Sequence, residues 1–215
     1  MTWQGLELVA WGIPWTLAVT AGAFLLGAAL GVPLCAMHVS RSRVLHGLAV
    51  ALIVALRSIP PIVWLFLLYF GVGSGYLKVG AVQAAVVALG LITAANMAEI
   101  YRGALRSIHP GQWDAAQALG LPVRSELVDV IVPQVFRVTL PSAATYIIGL
   151  LKDSAIASTI GVAEITYLAN FLSRKQFNES LTIFAFAGML YILISLPLAA
   201  LARLADGRLR ARVAQ

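Results

Sequence analysis

Long apolar runs separated by short polar stretches set the pattern of this chain. The first run, from about Trp11 to Met37, is long enough to cross a bilayer as a helix. Within it Ala23, Gly27 and Gly31 recur every four residues, a stripe of small side chains that lets a second helix approach closely. The second run, about 48–72, is interrupted by Arg57 and by Pro60-Pro61. Each proline removes a backbone donor, so a kink or break is expected there. Arg57 falls about nine residues into this run, near mid-depth for a rise of ~1.5 Å per residue. The third run spans about 79–97 and ends beside Asn96 and Glu99. A polar connection follows from Glu99 to about Arg137. The next apolar stretch, Val138 to Leu151, is short for a crossing unless it continues through SAIASTI to about residue 160. The last run covers about 181–202.

This pattern predicts an all-α polytopic membrane protein of about five transmembrane helices, folded as a single domain over residues 1–215. Composition agrees, because 60% of the residues are hydrophobic and only 11% are charged, against about a quarter in soluble domains. The N-terminus lacks a basic n-region, so the first run is expected to be retained as a span. The net charge of +6 is no nucleic-acid signal, because the basic residues cluster at the ends of apolar runs. They also set the expected orientation. Arg41 and Arg43, Arg102 to Arg137, and Arg203, Arg208, Arg210 and Arg212 fall on one side of a five-span layout. The other side carries Lys78, Lys152, Arg174 and Lys175, partly offset by Asp153, Glu164 and Glu179. The positive side faces the cytoplasm, which puts the N-terminus outside and the C-terminus inside.

The stretch 110–133 then lies in the cytoplasm, between the third and fourth spans. Pro110-Gly111 marks a turn, and a helix is expected from about Gln112 with Asp114 in its first turn, at the positive end of the helix dipole. Gly120 followed by Pro122 is a stop signal. Such a helix has about two turns and is too short to stand alone in water. Its small face of Ala115, Ala118 and Leu119 needs something to pack against, either the membrane surface or a partner. Ser125 and Glu126 suit the start of a second helix.

Asp114-Ala115-Ala116, then Gly120, then Val130-x-Val132-Pro133, resembles the EAA motif of ABC-importer permease subunits. The spacing matches throughout, with Asp in place of Glu and Val in place of Ile and Leu. IPWTLAVTAGAFLLGAALGVPL, LRSIPPIVWLFLLYFG, AEIYRGALRSIHPGQWDAAQALGL and YIIGLLKDSAIASTIGVAEIT are similar to signatures of the polar amino-acid uptake branch. The likeness covers about Gly12 to Leu204. It implies a permease in the bacterial cytoplasmic (inner) membrane that moves an amino acid or related small polar solute inward. The short helix would be a coupling helix, with Asp114, Ala115, Ala116, Leu119 and Gly120 docking on a separate ATP-binding subunit dimer. ATP and Mg would sit on that subunit, with no cofactor on this chain. A second permease subunit, identical or homologous, and an extracytoplasmic solute-binding protein are the other implied partners.

Buried polar groups mark the expected solute path. Arg57 beside the helix break is either a structural or gate residue or a ligand contact. Asn96 either lines a cavity or holds helices together. Lys152-Asp153-Ser154 is a local ion pair, an outer gate, or a set of groups for a zwitterion. Ser158 and Thr159 offer hydroxyls, and Glu164 is either structural or a partner for a ligand amino group. Glu99 is expected to be solvated or paired with Arg102. No GxxxxGK[ST] occurs, so the chain has no P-loop of its own. His38, His46 and His109 are scattered, Gly71, Gly73 and Gly75 form a loop without dinucleotide register, and Cys35 is alone. Catalysis by this chain is not expected. The alternative is a self-sufficient carrier or channel driven by an ion gradient, or a scaffold with no transport activity.

Overall fold

The computed structural model describes residues 3–73 and 78–213, with side chains up to Arg203 except that of residue 201. Gly75 and the side chains of Arg208, Arg210 and Arg212 lie outside the described set. Every regular element among the described residues is helical. A short α1 (Trp3–Ala10) turns at Trp11-Gly12 into the long α2 (Ile13–His38). The helical entry at residue 3 precedes the expected first span. Arg43–Ser58 forms α3 and Pro61–Phe66 forms α4, which continues through a widened turn, Leu67–Val72. The two halves are bent by 99°. The cause is the proline pair: Ile59 and Pro60 each precede a proline and both adopt extended backbone, because the following ring disfavours the helical region.

Ala81–Ser107 forms α5, which packs along α2. It continues eight residues past Glu99, so the polar connection is much shorter than expected. After α6 (Pro110–Ala118) and α7 (Val123–Ser125), a widened turn at Glu126–Ile131 leads directly into α8 (Val132–Asp153). The short fourth segment is therefore part of a 22-residue helix. Its start was obscured in the sequence by Gln134 and Arg137. A tight 3-10 stretch, Ser154–Ile160, follows, then the amphipathic α9 (Ile165–Lys175) and the long α10 (Ser180–Val213). The sequence pattern gave no element for α9.

Trp3–His38, Ala81–Ser107, Val123–Ile160 and Phe177–Ala200 are each long and apolar enough to cross a membrane, and the bent α3–α4 pair makes up to five spans. The chain is thus a multi-pass helical membrane protein. Its centre is built from small side chains: Val19 and Ala23 of α2 meet Ala84, Ala85 and Ala88 of α5, with Leu65, Leu150 and Ala157 around them. In a bilayer, lipid tails are as apolar as leucine, so close backbone approach rather than water exclusion holds such helices together. A second cluster joins Val9 of α1 to Ile165 and Ala169 of α9 and Ile183 and Ala187 of α10.

Candidate functional site

The first group of interest is α6. His109 caps it, its Nδ1 accepting the Gly111 N–H at 3.1 Å, and Pro110 occupies the first turn, where a missing donor costs nothing. The helix therefore starts at Pro110 rather than near Gln112. Asp114 consequently lies in the second turn, and no acidic residue stands in the first. At the far end Gly120 adopts φ +66°, the left-handed conformation that closes a helix. Gly120 N–H donates to Gln117 O at 2.9 Å and Leu121 N–H to Ala116 O at 3.1 Å, the paired bonds of a Schellman cap. Ala116 is buried, whereas Asp114, Ala115, Ala118 and Gly120 are exposed and Leu119 keeps 78% of its surface. The face formed by Ala115, Ala118 and Leu119 is thus left uncovered by this chain. A bond between Gln134 Nε2 and Gln112 Oε1 at 3.1 Å ties α6 to α8. The following helix begins at Val123, two residues before the expected Ser125, and Glu126 is buried in its widened turn.

The second group lies where α2, α3 and α5 meet. Glu99 pairs with Arg102 one turn along α5, at 2.5 Å. His38 Nδ1 sits 3.0 Å from the other Glu99 oxygen, within ion-pair range but without hydrogen-bond alignment. His46 Nδ1 approaches the His38 carbonyl at 2.6 Å, and the two rings are 5.1 Å apart. Two histidines that look scattered in sequence are therefore neighbours, while His109 is a helix cap elsewhere. Tyr101 donates to Ala28 O at 3.1 Å, adding a second tie between α5 and α2.

The third group faces α5 from α8. The Tyr146 hydroxyl donates to Thr93 Oγ1 at 3.2 Å and accepts from Asn96 Nδ2 at 3.4 Å, while Asn96 also donates to Ile92 O at 2.9 Å. Asn96 thus joins helices. Arg57 is exposed in the last turn of α3, just before the break, a favourable place for a cation at a helix C-terminus. Tyr146 was missed in the sequence reading; its signal was a lone phenol in an apolar helix.

The remaining expected path residues divide. Asp153 is exposed and makes no pair with Lys152. Ser158 is half-buried, its Oγ bonded to Ala155 O at 2.7 Å. Ser154 is completely buried and donates to Leu151 O at 2.7 Å. Glu164 is also completely buried, and both of its oxygens accept bonds, from Thr166 N, Tyr167 N and the Tyr191 hydroxyl. Neither presents a free group to a solute.

Comparison with known proteins defines the class. The family described as the binding-protein-dependent transport system inner membrane component matches residues 10–211. The chain belongs to that family: it is the permease component of an ABC importer, it is not itself an enzyme, and ATPase activity resides in a separate subunit. Among relatives, the probable amino-acid ABC transporter permease protein YckA of Bacillus subtilis is 32% identical over 180 residues, 84% of this chain and 79% of that protein. The nopaline transport system permease protein NocM of Agrobacterium fabrum is 31% identical over 94% of this chain and 89% of its own. The crystal structure of an amino acid ABC transporter with histidines superimposes with a TM-score of 0.86 at 29% identity, covering 94% of both chains.

Proposed function

We propose that this chain is the membrane subunit through which an amino acid or related small polar solute enters a bacterial cell, driven by ATP hydrolysed on a partner. The observation that carries this reading is α6. A helix of nine residues is too short to persist by itself in water, yet its Ala115–Leu119 face is left open and its end is locked by Gly120. That is the form of an element made to dock. We assign α6 as the coupling helix, on the cytoplasmic side, with the N-terminus outside and the C-terminus inside, in the cytoplasmic membrane. ATP and Mg belong to the partner ATPase dimer; closure of that dimer would draw two coupling helices together and rock the spans behind them.

Four or five spans enclose no path alone, so a second permease subunit, identical or homologous, completes it. An extracytoplasmic binding protein delivers the solute. The path runs past Arg57, Asn96, Tyr146 and Asp153, with Ser158 beside it. An exposed cation, Arg57, and an exposed anion, Asp153, suit a zwitterion. Support for the amino-acid class comes from the names of the relatives and from the amino-acid transporter fold.

The test is co-purification of the chain with its cognate ATPase, followed by ATP hydrolysis measured with binding protein and a panel of amino acids. Stimulation by one loaded binding protein is expected. Solute uptake into liposomes by this chain alone would instead favour an ion-coupled carrier.

A further inference from the structure

Glu164 places a carboxylate in a position with no exposure at all, yet uses it fully. Its Oε1 accepts the Tyr167 N–H at 2.7 Å, and its Oε2 accepts the Thr166 N–H at 2.9 Å and the Tyr191 hydroxyl at 2.7 Å. The first two bonds cap α9, and the third crosses to α10. On the other side, Ile165 N–H donates to Thr16 Oγ1 at 3.3 Å. Gly12, at the α1–α2 corner, lies so close to the backbone of Glu164 and Ile165 that a Cβ has no room. The α1–α2 corner, α9 and α10 are thus pinned at one spot. Capping alone does not require this residue, because Ser, Asp or Asn caps a helix with a shorter side chain. The bond to Tyr191 uses the extra reach of glutamate.

Upstream, the 3-10 stretch Ser154–Ile160 holds few ties of its own. Ser154, Ser158 and Thr159 each bond only to a carbonyl three residues back. Ala157, Ile160 and Val162 pack into the small-residue core. The stretch is therefore held by α8 at its start, by this packing along its length and by the Glu164 contacts just beyond its end. We infer that Glu164, through its bond to Tyr191, is a positioning residue that holds the 154–160 segment, and Asp153 ahead of it, in register with α5 and α8. Its relevance to transport rests on the proposed path at Asp153; the contact itself does not.

The test uses the detergent-solubilised permease–ATPase complex with Cys35→Ala, so that an added Ala155→Cys is the reporter thiol in the permease. Maleimide labelling of that thiol is expected to rise roughly tenfold in Glu164→Gln, because an amide cannot accept from all three donors and one buried N–H loses its acceptor. Tyr191→Phe, which keeps the ring and removes the hydroxyl with its bonds to Glu164 and Thr166, should raise it as well. Glu164→Asp combined with Tyr191→Phe should label no faster than either single variant, since both break the same bond. In uptake, these variants should raise the half-saturating concentration of loaded binding protein with basal ATPase unchanged, and the exposed control Asn170→Ala should match the parent. Unchanged labelling in assembled Glu164→Gln and Tyr191→Phe complexes overturns the inference. So does loss of assembly in both, which would make the contact purely structural. If no amino acid stimulates the unmodified complex, the solute assignment fails instead, and the labelling result still decides the role of Glu164.

Discussion

Tyr146 on α8 and Thr93 on α5 share a hydrogen bond of 3.2 Å across the middle of the bundle, and Asn96, one turn along α5, reaches the same phenol oxygen at 3.4 Å. Interhelical bonds of this kind contribute about 0.6 kcal/mol on average within a membrane. Tyr146→Phe is therefore expected to leave the subunit folded and assembled, lowering its thermal midpoint only slightly. Its effect on uptake should be larger, because the hydroxyl holds Asn96, a residue of the proposed path, against α8. A higher half-saturating solute concentration with unchanged assembly is the expected result. Uptake indistinguishable from the parent would remove Tyr146 from the path.

Close approach rather than polar bonding governs the α2–α5 seam. A Cβ on Gly27 would collide with the Thr93 side chain and come within 2.8 Å of Gly90 O. Gly27→Ala should cost about 1–3 kcal/mol through overpacking, although alanine is the better helix former. The yield of monodisperse complex and its melting temperature measure this directly. Since the backbone carbonyl of Gly90 cannot move aside as a side chain can, trimming Thr93 as well should restore only part of the loss.

At the junction of α2 and α5, Glu99 is held by Arg102 and approached by His38. Arg102→Gln strips the partly buried carboxylate of its closest partner and should destabilise the complex by about 1–3 kcal/mol. Adding Glu99→Gln removes the stranded charge, so the double variant is expected to be more stable than Arg102→Gln alone. Chemical denaturation of the three variants tests the order.

Local rules made much of this architecture legible. Pro60-Pro61 gave the break in the second span, and the four-residue spacing of Ala23, Gly27 and Gly31 gave the seam of α2, because sterics act on neighbours in sequence. Gly120 and Pro122 gave the end of α6 for the same reason. The beginning of α6 was misplaced by two residues, since Pro110-Gly111 suits a helix start as well as a turn. The end of α5 was set too early because the polar run after Glu99 looks like a connection, yet Glu99 and Arg102 neutralise each other three residues apart and the helix runs on. The amphipathic spacing of Ile165, Ala169 and Leu172 could have shown α9, with Glu164 as its cap. What the sequence could not show is burial of that carboxylate, because its partner Tyr191 is 27 residues away and meets it only in the fold.

The exposed end of α6 separates docking from folding. Leu119 keeps 78% of its surface, so Leu119→Arg should leave the permease itself as stable as the parent while weakening its association with the ATPase subunit. Gly120 acts differently. At φ +66° any other residue carries backbone strain, about 1–2 kcal/mol for a residue with a Cβ, and Gly120→Asp adds a charge at the negative end of the helix. That variant should lose transport, with the complex poorly assembled or with ATP hydrolysis no longer linked to uptake. Pull-down of the ATPase, basal hydrolysis and solute uptake, measured on both variants, distinguish the two effects. Normal ATP-driven uptake by Gly120→Asp would sink the assignment of α6 as the coupling helix.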